Sequence, residues 1–310
     1  MSTPLGRAGA LTSEQQGRWR KVHTDSGRAV RIARIGAGIV CLLWMIPIVG
    51  ELVNSFRTRE AQHSTGWWTA LANPLNATQW TLDNYAVTLF TTSEDGVNIG
   101  QALVNSFIVT VPASVLPILV AAFAAYAFSF MRWWGRDYVY LAFVGLLLMP
   151  SQVALVPLLK LYDTLGLNGT FLALWLVHIG FGMPLAVVIL RNHMSRLPSA
   201  IIESARVDGA SHFTTFWRLV VPMSVPAFVA FAIVQFLWVW NDLLLALLFL
   251  GRGDNAPVTL ALQGLLGQDV KATELIPAAA MVAVFVPVLV LLLLQRHVIR
   301  GVSQITGTMR

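Results

Sequence analysis

The chain has 310 residues, of which 56% are hydrophobic and only 12% charged, and its mean hydropathy is +0.67. Soluble domains carry roughly a quarter charged residues, so this composition excludes an ordinary soluble enzyme and predicts an all-α polytopic membrane protein. The formal net charge is +6, but the basic residues lie between apolar blocks, which favours membrane orientation over nucleic-acid binding.

Taken in chain order, residues 2–30 are polar and basic, with no short apolar core ahead of a small-residue cleavage site. A tail over 1–31 is therefore expected to precede the membrane unit, with no cleaved signal peptide. Apolar spans are predicted at 32–53, 102–130, 138–159, 169–190, 225–250 and 275–294. Each is near or above the roughly 20 residues that cross a hydrocarbon core. The membrane unit then covers 32–297, and a tail covers 298–310. The apolar piece 256–267 is too short to span and contains Gly and Gln, so it is assigned to a loop. Ten-residue alternation of the β-barrel type is absent. With both termini on one side, that side holds 16 of the 21 Lys and Arg residues. The other side holds Arg57, Arg59, Lys160, Arg252 and Lys271. The positive-inside bias puts both termini in the cytoplasm.

Two loops fall outside under this orientation. Residues 54–101 carry Trp67, Trp68, Trp80 and Tyr85, aromatic residues of the kind that anchor at a membrane interface. Residues 251–274 carry Gly251, Gly253, Gly264 and Gly267 around a short apolar stretch. Exposed apolar surface outside a membrane marks contact, so Gly251, Gly264 and Gly267 are candidate contacts for an external protein. The alternative is a loop that packs over its own spans. Asp242 lies deep within an apolar span, next to Asn241. A charge there is costly, so it faces a cavity or a partner. Asn241 and Asp242 therefore either line a pore or subunit contact, or lock the fifth span by hydrogen bonding. His178 has no acid at helical spacing and reads as a packing residue.

Site chemistry of other kinds is not found. Cys41 is alone, the six histidines show no metal-ligand spacing, and no Gly-rich phosphate loop with Lys and Ser/Thr is present. No catalytic, cofactor or metal site is expected in this chain.

The most informative stretch, within the loop 195–222, lies between the fourth and fifth spans. Pro198 suits a helix start, Ile201, Ile202 and Ala205 share a face, and Gly209 suits a helix stop. A second short helix is predicted through Phe213, Phe216 and Trp217 until Pro222 interrupts it. Periodicity alone leaves a plain amphipathic interfacial loop open. The segment resembles the cytoplasmic loop of ATP-binding-cassette importer permeases, whose pattern is Glu-Ala-Ala, Gly four residues on, nine residues, then Ile-x-Leu-Pro. Glu203, Ala205, Gly209, Leu219, Val221 and Pro222 fill it at the same spacing, with Ser204 for the middle Ala and mild aliphatic exchanges at 219 and 221.

The resemblance extends from about residue 32 and is closest to the carbohydrate-importer, maltose-transporter inner permease type. It rests further on Thr81-Leu-Asp-Asn-Tyr85, Asn105-Ser106, Ala125-Tyr126-Ala127, Met149-Pro150 with Pro157-Leu158, Trp240-Asn241-Asp242 and Gln295-Arg296 with Arg300-Gly301. It implies a type I importer fold of six transmembrane helices with a coupling helix between the fourth and fifth. It also implies a heterodimer with a companion permease in the bacterial cytoplasmic membrane. Two ATP-binding subunits would bind ATP and Mg, and an extracytoplasmic solute-binding protein would deliver cargo. Nucleic acid has no part in it. By the same resemblance Ala205 allows close approach to the ATPase, Gly209 permits the turn, and Glu203 and Asp208 supply hydrogen bonds or charge. For Glu203 the alternative is a surface pair with Arg206. The implied cargo is a di- or oligosaccharide, with glycerol phosphate or another small polar solute as the alternative. A secondary transporter is the competing class; the chain offers it few intramembrane charges and no internal repeat.

Overall fold

A computed structural model describes residues 13–92, 98–266 and 270–306, and among these every regular element is a helix. A long α1 (Ser13–Ser55) leads into a cap built from α2 (Arg59–Ser64), α3 (Trp67–Ala72) and α4 (Asp83–Phe90). Then come α5 (Ile99–Phe130), α6 (Arg136–Leu148), α7 (Ser151–Thr164) and α8 (Phe171–Met194). The 195–222 loop carries α9 (Ser199–Val207) and α10 (His212–Thr215). It is followed by α11 (Val221–Trp240), α12 (Leu244–Phe249), α13 (Val258–Leu266) and α14 (Ile276–Thr306).

Among the described residues five stretches, Ala29–Ser55, Ile99–Phe130, Phe171–Met194, His212–Trp240 and Thr273–Leu294, are long and apolar enough to cross a bilayer. The sixth apolar unit is α6 with α7, which meet at a bend of 99°. The sequence predicts a straight third span over 138–159, whereas Pro150 breaks it. Met149 before the proline is extended, at φ −79° and ψ 122°, as the clash with the proline ring requires. Two further differences have local causes. The fifth span does not run to 250; α11 stops at Trp240, and residues 241–243 separate it from α12. The stretch 256–267, assigned to a loop, forms α13 over most of its length.

The core is organised around α5, which packs on α8, α11 and α13. Small side chains let these helices approach closely: Ala113, Ala121 and Ala125 of α5 and Ala173 and Ala186 of α8 are fully buried. At Gly182 of α8 an added Cβ would lie 2.6 Å from Nε2 of Gln235 on α11. One apolar cluster, with Tyr126, Leu190, Met194, Ile202, Phe216 and Phe231, lies at the end carrying α9. A second, with Val109, Tyr162, Leu174, Phe249 and Leu260, lies toward the opposite end. By contrast, the apolar window of α1 buries none of its residues, and Ile32, Leu42 and Trp44 are widely exposed. In a membrane-spanning chain such surfaces meet lipid or another transmembrane helix.

Candidate functional site

The loop between the fourth and fifth spans is a folded unit. Pro198 precedes α9, where its missing N–H costs nothing. Ile202 is buried against the core and Ala205 is half-buried, while Ile201 is exposed, so the apolar face is narrower than the sequence predicts. Gly209, at φ +78°, ends the helix in the left-handed region. Its N–H donates to the Arg206 carbonyl at 3.0 Å, and the Ala210 N–H donates to the Ala205 carbonyl at 2.9 Å. This pairing is the Schellman arrangement that glycine favours. Ser211 then caps α10, its Oγ accepting from the Thr214 N–H at 3.2 Å.

The second helix of the loop does not stop at Pro222, as the sequence predicts. A π-helical turn over Phe216–Val220 joins α10 to α11, with the Val221 N–H donating to the Phe216 carbonyl. Pro222 sits in the first turn of α11, where its missing N–H is absorbed by the widened turn. Single π turns of this kind recur at functional sites.

Three contacts fasten this unit to α5. Arg206 donates from Nη2 to the Phe130 carbonyl at 2.8 Å, placing a cation at the negative C-terminal end of that helix. The Tyr126 hydroxyl lies 3.0 Å from His212 Nδ1. The Phe123 and Phe216 rings stack at 4.6 Å between centroids. Because Arg206 turns toward α5, the surface pair with Glu203 does not form. Glu203, Ser204, Asp208 and Gly209 are exposed, and the Glu203 carboxylate has no hydrogen bond or ion pair among the described residues. Leu219 and Val221 are half-buried behind them and Pro222 is exposed. Tyr126 and His212 lie far apart in sequence, and only the Ala125-Tyr126-Ala127 resemblance marked this corner.

At the opposite end, Asn241 and Asp242 occupy the break between α11 and α12. Asn241 Nδ2 donates to the Leu237 carbonyl at 2.7 Å. Asp242 Oδ2 accepts from the backbone N–H groups of Leu245 at 3.0 Å and Ala246 at 3.2 Å. The carboxylate thus caps α12, and these bonds tie the break to its own two helices.

The loop 251–274 is tied to its own spans. Gly251, at φ +72°, ends α12, with its N–H donating to the Ala246 carbonyl at 3.2 Å. Asn105 Nδ2 donates to the carbonyls of Asp254 at 2.6 Å and Ala256 at 3.1 Å, and Ser106 Oγ accepts from the Val258 N–H at 2.8 Å. Val258, Leu260, Ala261 and Leu265 are buried. From 256 to 265 the apolar stretch is therefore buried or half-buried, and only Leu266 of its described residues is the exposed apolar surface that marks contact. Gly264 is half-buried on α13, Gly267 lies outside the described residues, and the exposed residues among those described in the loop are 252–255, Leu266 and Thr273.

The cap after α1 has a hub the sequence analysis missed. Arg57 is 1% exposed, and burial lowers its pKa. Its guanidinium donates to Asn54 Oδ1 at 3.1 Å, to the Thr65 carbonyl at 3.1 Å, to the Ala61 carbonyl at 2.6 Å and to Thr65 Oγ1. Its own carbonyl accepts from Gln62 Nε2 at 3.0 Å and Asn84 Nδ2 at 2.8 Å. An open cleft of 740 Å³, lined by polar groups that include Glu60, Thr65, Asn73, Asn76 and Gln79, adjoins this hub.

A helical bundle of this kind, carrying a docked helix–turn–helix between its fourth and fifth spans, is a membrane transport subunit. Residues 66–304 match the family described as binding-protein-dependent transport system inner membrane component, and the chain belongs to that family. It is 45% identical over 264 residues to the osmoprotective compounds uptake permease protein GgtD of Synechocystis sp., covering 85% of this chain and 87% of that protein. Identity is 44% over 257 residues to the alpha-glucoside transport system permease protein AglG of Rhizobium meliloti, covering 81% of this chain and 65% of that one. The trehalose/maltose transport system permease protein MalG of Thermococcus litoralis is 30% identical over 273 residues, 87% of this chain and 93% of that one. The fold is shared with a chain of a bacterial transporter that imports the acidic polysaccharide alginate. There the TM-score is 0.69 at 18% identity, over 87% of this chain and 97% of that one.

Proposed function

We propose that the chain is the sugar-conducting permease of an ATP-driven importer, with both termini and α9 in the cytoplasm, and that it carries no catalytic site itself. The observation that carries this reading is α9, a helix stapled to α5 that leaves Glu203, Ser204, Asp208 and Gly209 exposed at its outer edge. A stiff element of that kind transmits rigid-body motion from a docked partner. Two ATP-binding subunits, holding ATP and Mg, dock there. A companion permease completes the pore against surfaces such as that of α1. A solute-binding protein delivers cargo to the opposite face and meets the exposed 252–255 tip. The relatives named for alpha-glucosides and for trehalose and maltose support a di- or oligosaccharide as cargo.

Reconstitution tests this reading. Vesicles holding the chain with its companion permease, ATPase pair and binding protein are expected to accumulate labelled α-glucoside only with ATP. Accumulation in the absence of the ATPase subunits would refute it and favour a secondary transporter. Orientation has a separate check. With the exposed Cys41 replaced by Ser, a cysteine at Ser199 is expected to react with impermeant maleimide only after the membrane is opened, and one at Asp254 in intact cells. The reverse pattern overturns the orientation.

A further inference from the structure

His178 lies on α8, fully buried, and neither of its ring nitrogens has a hydrogen-bond partner. Buried polar groups are nearly always paired, so such an imidazole calls for a specific cause. The nearest carboxylate is Asp242, whose Oδ2 lies 3.9 Å from His178 Nε2. That separation is too long for a hydrogen bond but within about 1 Å of one. The Trp238 ring meets the imidazole edge-on at 5.7 Å and helps hold it against α11.

Asp242 is a junction. Its side chain caps α12 and its carbonyl accepts from Thr259 Oγ1 of α13 at 2.9 Å. Movement of the carboxylate therefore moves the start of α12, and movement of the residue 242 backbone carries Thr259 of α13 with it. The seam between α8 and α11 is also loosely bonded at this level. Gln235 Nε2 reaches the Ala113 carbonyl at 3.3 Å and the His178 carbonyl at 3.5 Å, both long. Gly182, one turn from His178 on the same face, leaves the room that the flexible Gln235 amide occupies.

On α5, α8, α11, α12 and α13 the titratable groups besides His178 are Tyr126, Arg191 and His193, at the end of the bundle that carries α9. Of the titratable groups on α7, Lys160, Tyr162 and Asp163, the buried Tyr162 packs in the second apolar cluster, its ring 5.4 Å from Phe249 of α12.

From this geometry we infer that His178 and Asp242 form a state-dependent latch, open here and hydrogen-bonded at another stage of the transport cycle, which positions the α11–α12 break. The inference rests on the importer reading above. His178 acts as a positioning residue: a slide of α8 by about 1 Å closes the bond, and the start of α12 follows the carboxylate that caps it.

The test is a double-mutant cycle in the reconstituted complex, read as ATP-driven uptake and as binding-protein-stimulated ATPase. Serine caps a helix as well as aspartate does but is too short to reach the imidazole, so Asp242→Ser keeps a cap and removes the acceptor. His178→Leu and Asp242→Ser are each expected to slow uptake about tenfold, and the double variant to be no slower than either, because both remove one interaction. His178→Gln, whose amide still donates, recovers most of the rate. Membrane levels and unstimulated ATPase stay at wild-type values. A loss in the double variant equal to the product of the single losses, or wild-type uptake by either single variant, overturns the latch. A wild-type complex with no ATP-driven uptake overturns the importer reading itself, and the latch with it.

Discussion

Gly209→Pro is expected to abolish ATP-driven uptake while the permease remains in the membrane at its normal level. The backbone at 209 has φ +78°, and proline is fixed near −65°. The α9 stop cannot form with that residue. Proline also removes the N–H that donates to the Arg206 carbonyl. The chain must then leave α9 in another direction, which displaces the exposed edge from α5 and from whatever docks on it. Gly209→Ala pays only the left-handed penalty of about 1 kcal/mol and should retain partial uptake. Glu203→Lys provides the complementary test, because the carboxylate makes no bond within the described residues. Its reversal leaves the fold intact and alters only the docking face. Uptake should fall at least tenfold, with ATPase subunits either failing to co-purify or hydrolysing ATP without transport. Wild-type uptake by both Gly209→Pro and Glu203→Lys refutes the coupling assignment.

How far the sequence reveals this molecule depends on how local each feature is. The apolar spans are legible because burying backbone in hydrocarbon requires some 20 apolar residues in a row. The stop at Gly209 is legible because left-handed backbone favours one residue type. The bend at Met149-Pro150 is less so: hydropathy records that residues are apolar, not where their axis turns. The break after Trp240 carries no proline or glycine. Asp242 announces itself there as a costly charge, but its capping role requires knowing that the Leu245 and Ala246 N–H groups turn back toward it. The burial of α13 is illegible for the same reason. Asn105 and Ser106, which fasten that loop, sit on a helix far away in sequence. The contacts between Tyr126 and His212 and between His178 and Asp242 are tertiary, and no periodicity within one helix predicts them.

Arg57 is the extreme case, since in sequence it counts only as one of five basic residues on the sparse side of the membrane. Arg57→Leu is expected to unfold the cap between α1 and α4, at a cost of roughly 3 to 5 kcal/mol. A guanidinium presents donors in a planar fork, and here that fork serves Asn54, Ala61 and Thr65 together. Leucine fills the volume but leaves the Ala61 and Thr65 carbonyls without their donor in a buried place. Lysine has a single donor centre and reaches only part of the set, so Arg57→Lys should fall between wild type and Arg57→Leu. Because Asn84 binds the Ser55 and Arg57 carbonyls, the loss spreads from α2 to α4 and also releases the contact of Gln62 with the Glu274 carbonyl. The apolar bundle below does not depend on these bonds, so insertion and unstimulated ATPase activity should survive. Stimulation by the binding protein should fall, because under the proposed orientation the cap lies on the face that protein approaches. Limited proteolysis in vesicles gives the direct measurement, with new cleavage between residues 57 and 80 in Arg57→Leu. If that variant resists protease as the wild type does, the guanidinium is not what holds the cap together.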